Sequence, residues 1–280
     1  MTTEIQTPAP AAERTRTMPD VQASPDDRNI PIDKVGVKHI TYPITLQCSA
    51  MGGVQHTVAK VNMYVGLPHY QKGTHMSRFL EVLNEHHDEL KSDEIMQVCR
   101  DIMHRLEAKE AHLEFTFPYF IGKRAPVTGA PGMLDIEVTF KASCSAVSGG
   151  EDFVMGVKVP ATSLCPCSKE IADYGAHNQR CELDVRVRFA EGQNMWIEDL
   201  FQIVEKTASS PVYAVLKRPD ERRVTEDAYD NPKFVEDIVR DLALALDTED
   251  RIIWYQVKSE NFESIHNHNA YASVERMKKL

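Results

Sequence analysis

From Val37 to the C-terminus the chain switches between two hydrophobic rhythms, one of period two and one close to 3.6. The runs VKHITYPITLQ and VQHTVAKVNMYVGL are rich in β-branched residues and flank Gly52 and Gly53, which predicts an antiparallel pair of strands. Two helices follow: the first has Ser77 as its cap with Phe79, Leu80, Val82, Leu83 and Leu90 at helical spacing, and the second opens at Ser92 and Asp93. The second helix carries Ile95, Met96, Val98, Cys99, Ile102, Met103 and Leu106 on one face, so Cys99 completes a core stripe. HLEFTFPYFI and MLDIEVTFKAS then read as strands joined by the Pro- and Gly-rich GKRAPVTGAPG.

The same order recurs. DFVMGVKVP and CELDVRVRF read as strands, the latter alternating Leu183, Val185, Val187 and Phe189 with charges. A helix containing Leu200, Phe201, Ile203 and Val204 starts near Glu198 and Asp199, and after a polar loop a second runs from about Pro232 through Phe234, Ile238, Leu242 and Leu246. RIIWYQVKS and AYASVERMK close the chain as strands. The reading is an α+β protein of two tandem β-β-α-α-β-β modules, residues 35–150 and 151–280, behind a disordered arm of residues 1–34 that lacks any apolar period. Helices on one side of an alternating sheet suggest association of subunits, with the sheets closing into barrels.

Composition narrows the function. The 280 residues are 42% hydrophobic, enough for a substantial core without staples, and no run approaches the roughly 18 apolar residues of a membrane span. The N-terminal MTTEIQTPAPAAERTRT has no apolar leader, so the six cysteines are expected to be reduced thiols in the cytoplasm. A net charge of -10 argues against general attraction to nucleic acid or anionic lipid, so an anionic substrate has to meet a local basic cluster. KGTHMSR supplies one, with Lys72, His75 and Arg78 at a helix start, and the chain has no Walker-type glycine loop.

The densest chemistry lies in SLCPCSKEIADYGAHNQR, from Ser163 to Arg180. Cys165, Cys167 and His177 are ligand types for a borderline-soft divalent ion, and the spacing leaves the set incomplete, as at a catalytic metal site; a disulfide or a buried thiol pair is the alternative. Glu221 lies among Lys217, Arg218, Arg222 and Arg223 in a predicted loop, where it either completes a metal set or pairs with its neighbours. In SENFESIHNHNAYA, Glu263 and His266 are three apart and would share a face of a helical turn, an arrangement suited to acid/base chemistry.

Taken in order and spacing, VKHITYPI, KGTHMSRF, PVTGAPGMLDIEV, SLCPCSKEIADYGAHNQR and ESIHNHNAYA resemble the type IB GTP cyclohydrolase I family, over nearly everything from about residue 35 to 280. The resemblance implies the tunnelling fold, a homotetramer, GTP as substrate, and conversion of GTP and water to 7,8-dihydroneopterin triphosphate and formate in folate synthesis. It implies Cys165, His177 and Glu221 as ligands of zinc or manganese, with iron a further option, and Cys167 as a second active-site thiol. It also implies Glu236 as the anchor of the guanine base, Glu263 and His266 as the acid/base pair, and Lys72, His75, Arg78 and Lys169 as triphosphate contacts. The competing readings are another purine or pterin enzyme of the same fold, such as a nitrile reductase, and a zinc-stabilised binding module.

Overall fold

The computed structural model describes residues 19–49, 53–86, 89–90 and 92–278. The first half contributes strands β1 (Ile32–Gln47) and β2 (Val54–Leu67), helix α1 (Met76–Glu85), the two-residue β3 (Glu89–Leu90), helix α2 (Ser92–Arg105), and strands β4 (Glu110–Arg124) and β5 (Pro131–Ser145). The second half contributes β6 (Glu151–Leu164), α3 (Pro166–Ile171), β7 (Asn178–Phe189), α4 (Ile197–Glu205), β8 (Ser210–Pro211), α5 (Arg218–Asp230), α6 (Val235–Asp247), β9 (Ile252–Asn261) and β10 (Ala270–Met277).

The strands form one sheet in the order β10-β9-β7-β6-β5-β4-β2-β1-β3, with β8 beside β6. Setting aside β3 and β8, the order β1-β2-β4-β5 of the first half recurs as β6-β7-β9-β10 in the second, and the halves meet without a break where β5 pairs β6 antiparallel. Period-two patterning accounts for this directly. In β4, Ala111, Leu113, Phe115, Phe117, Tyr119 and Ile121 are buried under the helices, while the residues between them face away. The long helices answer with their own stripes: Phe79, Val82 and Leu83 from α1, Ile95, Val98, Cys99 and Ile102 from α2, Leu200 and Val204 from α4, and Ile238, Leu242 and Leu246 from α6.

Local chemistry departs from expectation in four places. The Arg-rich "loop" is helix α5, in which Pro219 sits in the first turn and the Asp220 carboxylate accepts the Lys217 amide at 2.9 Å. Its low apolar content hid it, because it buries little beyond Asp220 and Ala228. Helix α6 starts at Val235 rather than Pro232; Phe234 is its N-cap residue, its amide donating to Asp237. Helix α1 is preceded by His75 as N-cap residue, not Ser77. Residues 19–31, placed in the disordered arm by their composition, run along the segment before α1: Pro25 bridges Gln71, and the amides of Lys72 and Gly73 donate to the carbonyls of Ser24 and Gln22. Backbone pairing of this kind needs no apolar period.

Register fixes which loops can meet. Glu137 faces Lys158 across β5 and β6, so the β4–β5 hairpin lies at the same end of the sheet as Leu164, which pairs Asn178 of β7. Cys181 pairs Asn261, bringing the β9–β10 connection to that end as well. The end of β2, the start of α1 and the β5–β6 hairpin lie at the other end, a strand length away, on the order of 40 Å at roughly 3.3 Å per residue.

Candidate active site

At the end of β6 the chain enters a tight connection that sequence chemistry dictates almost atom by atom. Pro166 has its φ preset and no N–H, which suits the first helical position, so Cys165 is left extended as the N-cap residue of α3. The Cys165 Sγ accepts the Ser168 amide at 3.4 Å. Ser168 in turn donates its hydroxyl to the Cys165 carbonyl at 3.1 Å and accepts the His177 amide at 3.2 Å. The Cys165 amide donates to the His177 carbonyl at 3.1 Å, closing the connection, and Gly175 takes the left-handed φ of 67° that the turn requires.

His177 and Cys165 are therefore held together by backbone and by one serine. The His177 Nδ1 lies 2.8 Å from Oε1 of the buried Gln179; an amide oxygen only accepts, so Nδ1 carries a proton here, and in the neutral ring Nε2 is then the nitrogen with the lone pair. That is the tautomer and the outer support a metal-binding imidazole uses, and a half-buried thiol beside it supplies a soft ligand. These two side chains fit a divalent ion by donor chemistry. Glu221 is exposed in the first turn of α5, and among the described residues no three His, Cys, Asp or Glu side chains gather as a ready-made metal cluster. Cys165 and Cys167 are both free thiols, Cys167 exposed, so the disulfide alternative is not what the structure contains.

Glu236 is exposed in the first turn of α6, where a helix N-terminus favours a carboxylate. This helix start is tied to the Cys165 connection, since the Lys233 amide donates to the Leu164 carbonyl at 3.0 Å. Glu263 and His266 occupy the irregular 262–269 connection instead of a helical turn; the Phe262 amide donates to Arg180 at 2.9 Å, fixing where the connection begins. The exposed His266 ring stacks on His268, with centroids 5.1 Å apart. Cys165, His177, Glu236, Glu263 and His266 thus share one end of the sheet, as their register predicts.

The basic residues divide. Lys169 reaches the C-terminal end of α5, donating to the Tyr229 carbonyl with its Nζ 4.2 Å from the Tyr229 ring centroid. Lys72, His75 and Arg78 lie at the far end of the sheet, where Asp20 meets His75 at 3.1 Å. One chain does not bring them to Cys165.

Sequence reasoning missed the floor beneath the site. The buried stripes of β6, β7 and β9 are apolar until they reach this end of the sheet, where they turn polar as Ser163, Gln179, and Ser259 with Asn261. Ser209 donates its amide to Thr162 and accepts the Leu164 amide at 3.0 Å, and Asn231 reaches the carbonyls of Ala208 and Ser209. Asp220, fully buried, accepts the amides of Val127 and Thr128 at 2.8 Å each and the Thr128 hydroxyl at 2.6 Å. Burial alone would raise its pKa, but the Thr128 hydroxyl and the Thr128, Lys217 and Val127 amides hold its carboxyl well below the usual range. The PVTGAPG hairpin is thereby pinned to the start of α5. A polar residue closing an otherwise apolar period-two stripe was the available signal.

The architecture defines the class first: an antiparallel α+β fold of the uricase type. A uricase from Bacillus fastidious superposes with a TM-score of 0.57 over 88% of this chain and 93% of its own, at 8% sequence identity. The family follows from sequence: the model for type I GTP cyclohydrolase folE2 (GCHY-1) matches residues 18–272, and the chain belongs to the FolE2 family. A GTP cyclohydrolase FolE2 from Azoarcus sp. (strain BH72) is 55% identical over 263 residues, covering 94% of this chain and 96% of the relative. Another, from Geotalea uraniireducens (strain Rf4), is 54% identical over 262 residues, 94% of each. These matches correct the family assignment drawn from the motifs: the model and both relatives name FolE2, a family distinct from FolE, in place of type IB GTP cyclohydrolase I.

Proposed function

We propose that this chain is a GTP cyclohydrolase converting GTP and water to 7,8-dihydroneopterin triphosphate and formate, as its near full-length correspondence with curated FolE2 enzymes supports. The observation that carries the site assignment is the meeting of Cys165, His177, Glu236, Glu263 and His266 at one sheet end. Glu236 accepts the N–H donors of the guanine edge and orients the base. His266 delivers a proton to N7, which makes C8 electrophilic toward water, and Glu263 of the same connection is its partner in acid/base chemistry. Cys165 and His177, joined by Glu221, are the residues that would hold a divalent ion, zinc or manganese with iron a further option. Such an ion, when bound, lowers the pKa of water toward neutrality. Cys167 is the second thiol at the site.

The triphosphate falls to Lys72, His75 and Arg78, with Lys169 near the thiols. Because the first three lie a strand length from Cys165 in one chain, this reading requires a second copy to complete the site. It accords with a homotetramer of tunnelling-fold subunits, each of two tandem modules, in which the open edges at β10 and at β1 and β3 are covered as sheets close into barrels. The test is incubation of metal-loaded protein with GTP. Formate and a pterin that fluoresces after oxidation are the expected products; release of phosphate alone would refute the reading.

A further inference from the structure

We propose that Ser163 and Asn261 are positioning residues: one buried hydrogen-bond chain, Asn261 to Ser163 to Lys233, locks three separate parts of the active site into register. The inference rests on the roles proposed above for Cys165, Glu236, Glu263 and His266.

Both side chains are almost completely buried, Ser163 at 1% and Asn261 at 2% exposure, in stripes that otherwise hold Val157, Val159 and Ala161 on β6 and Tyr255 and Val257 on β9. An unpartnered hydroxyl or amide there would be destabilising, so the partners decide what these residues are for. The Asn261 Nδ2 donates to the Ser163 Oγ at 2.8 Å, and the Ser163 Oγ donates to the Lys233 carbonyl at 2.9 Å. A carbonyl only accepts and an amide NH₂ only donates, so the direction of the chain is fixed from end to end. The Asn261 Oδ1 is occupied by the Ser259 hydroxyl at 3.4 Å.

Each member lies two or three residues before a proposed site residue: Ser163 before Cys165, Asn261 before Glu263, and Lys233 before Glu236. Backbone bonds from Lys233 to Leu164 and from Phe262 to Arg180 run alongside, so the side-chain links set the spacing between three segments that are already neighbours. An apolar pair of the same shape could serve stability about as well. What it could not do is specify a single register among three loops, which a directional hydrogen-bonded network does. Misplacement by about 1 Å at a reacting centre can cost on the order of 100-fold in rate.

The experiment compares Ser163→Ala and Ser163→Thr with the unmodified enzyme and with Val157→Ala, a truncation in the same strand, measuring GTP turnover by formate release and thermal unfolding on each preparation. Ser163→Ala is expected to lose roughly 10- to 100-fold in kcat with a raised KM, Ser163→Thr to stay within about threefold, and Val157→Ala to lose Tm but not turnover per folded molecule. Should Ser163→Ala fail to fold, Asn261→Asp decides. Its carboxylate has the amide's shape but cannot donate to Ser163, so its activity relative to the unmodified enzyme should be depressed and should recover as pH falls and the carboxyl regains a proton. Turnover of Ser163→Ala equal to that of Val157→Ala, or an Asn261→Asp profile parallel to the unmodified one, overturns the proposal. Glu236→Ala and His266→Ala in the same assay separate the two levels: if both retain full turnover the site roles themselves are wrong, whereas if both lose it and Ser163→Ala does not, only the positioning role fails.

Discussion

The two halves of the sheet repeat one strand order but finish their cores differently at the site end. In the first half the strand stripes stay hydrophobic at that end, with Ile44 and Leu46 on β1 and Phe117, Tyr119 and Ile121 on β4 all buried, the Tyr119 hydroxyl donating to Glu198 of α4 at 2.8 Å. In the corresponding strands of the second half the stripe ends in Ser163 on β6 and in Ser259 and Asn261 on β9. Among the described residues that are buried and polar, all but Thr74 belong to the second half. The same scaffold thus stays apolar along the strands of one half, and in the other accepts buried polar groups, of which Ser163, Ser209 and Asn261 bond the segments around the candidate site.

Cysteine gives the strongest test of this contrast. Cys99, fully buried between α2 and β5, has its thiol pushed well above the ordinary range by burial, so it is core and unreactive. Cys99→Ala should lower stability by about 1–2 kcal/mol and leave turnover per folded molecule unchanged. Cys165→Ala should do the reverse, abolishing bound metal and activity with the fold nearly intact, because a catalytic ion on few ligands adds less to folding than a structural one. Elemental analysis with unfolding curves checks both; stoichiometric metal in Cys165→Ala would erase the distinction.

His266 comes next in size. His266→Ala should lose roughly 10²–10⁴-fold in turnover while metal content and GTP binding persist, the range for a positioned acid/base. Single-turnover formate release on protein of known metal content reads this directly. Loss of metal would move His266 into the ligand set, and normal turnover would end its role in proton transfer.

How far the sequence carries depends on what kind of signal each part leaves. Strands such as β4 and β7 and the helix α2 announce themselves, because alternation or a 3.6-residue stripe is enough to say which face is buried. Helix α5 leaves almost no stripe, and so its sequence has the look of a loop. Cys165 and His177 were legible as a pair because they are near in sequence and joined by a Pro turn. The convergence of Glu236 and His266 on them was not, since it depends on strand register across β6, β7 and β9. Nor could composition reveal that Lys72, His75 and Arg78 lie at the opposite end, although their motif resembles an anion site. Ser163 and Asn261 look like ordinary strand residues until their burial is known.

Glu236 sharpens the contrast in binding instead of chemistry. Glu236→Ala should keep its metal and lose about 1.5–3 kcal/mol of affinity for a non-hydrolysed GTP analogue, the worth of a charge-assisted bond to the guanine donors. Calorimetry showing unchanged affinity would remove the anchor role.

The smallest effect concerns a place where the second half reaches across to hold the first. Asp220 of α5 binds the β4–β5 hairpin through Val127 and Thr128, so the hairpin's position is set by a carboxylate from the other half. Its pKa is lowered in the folded protein, which means that the stabilisation is complete above the unfolded value near 3.8 and disappears as pH falls from there through the folded value. Asp220→Asn keeps the shape but replaces an acceptor-only carboxylate by an amide whose NH₂ faces donors that need an acceptor. Hydrogen exchange of the Val127 and Thr128 amides should therefore be slow at pH 6 in the unmodified protein and faster in Asp220→Asn. The acid limb of its unfolding curve should also flatten below about pH 4, because the titrating group is gone. If the hairpin amides stay equally protected in the variant, the hairpin is held by the first half's own pairing, and the two halves are more independent than their shared sheet suggests.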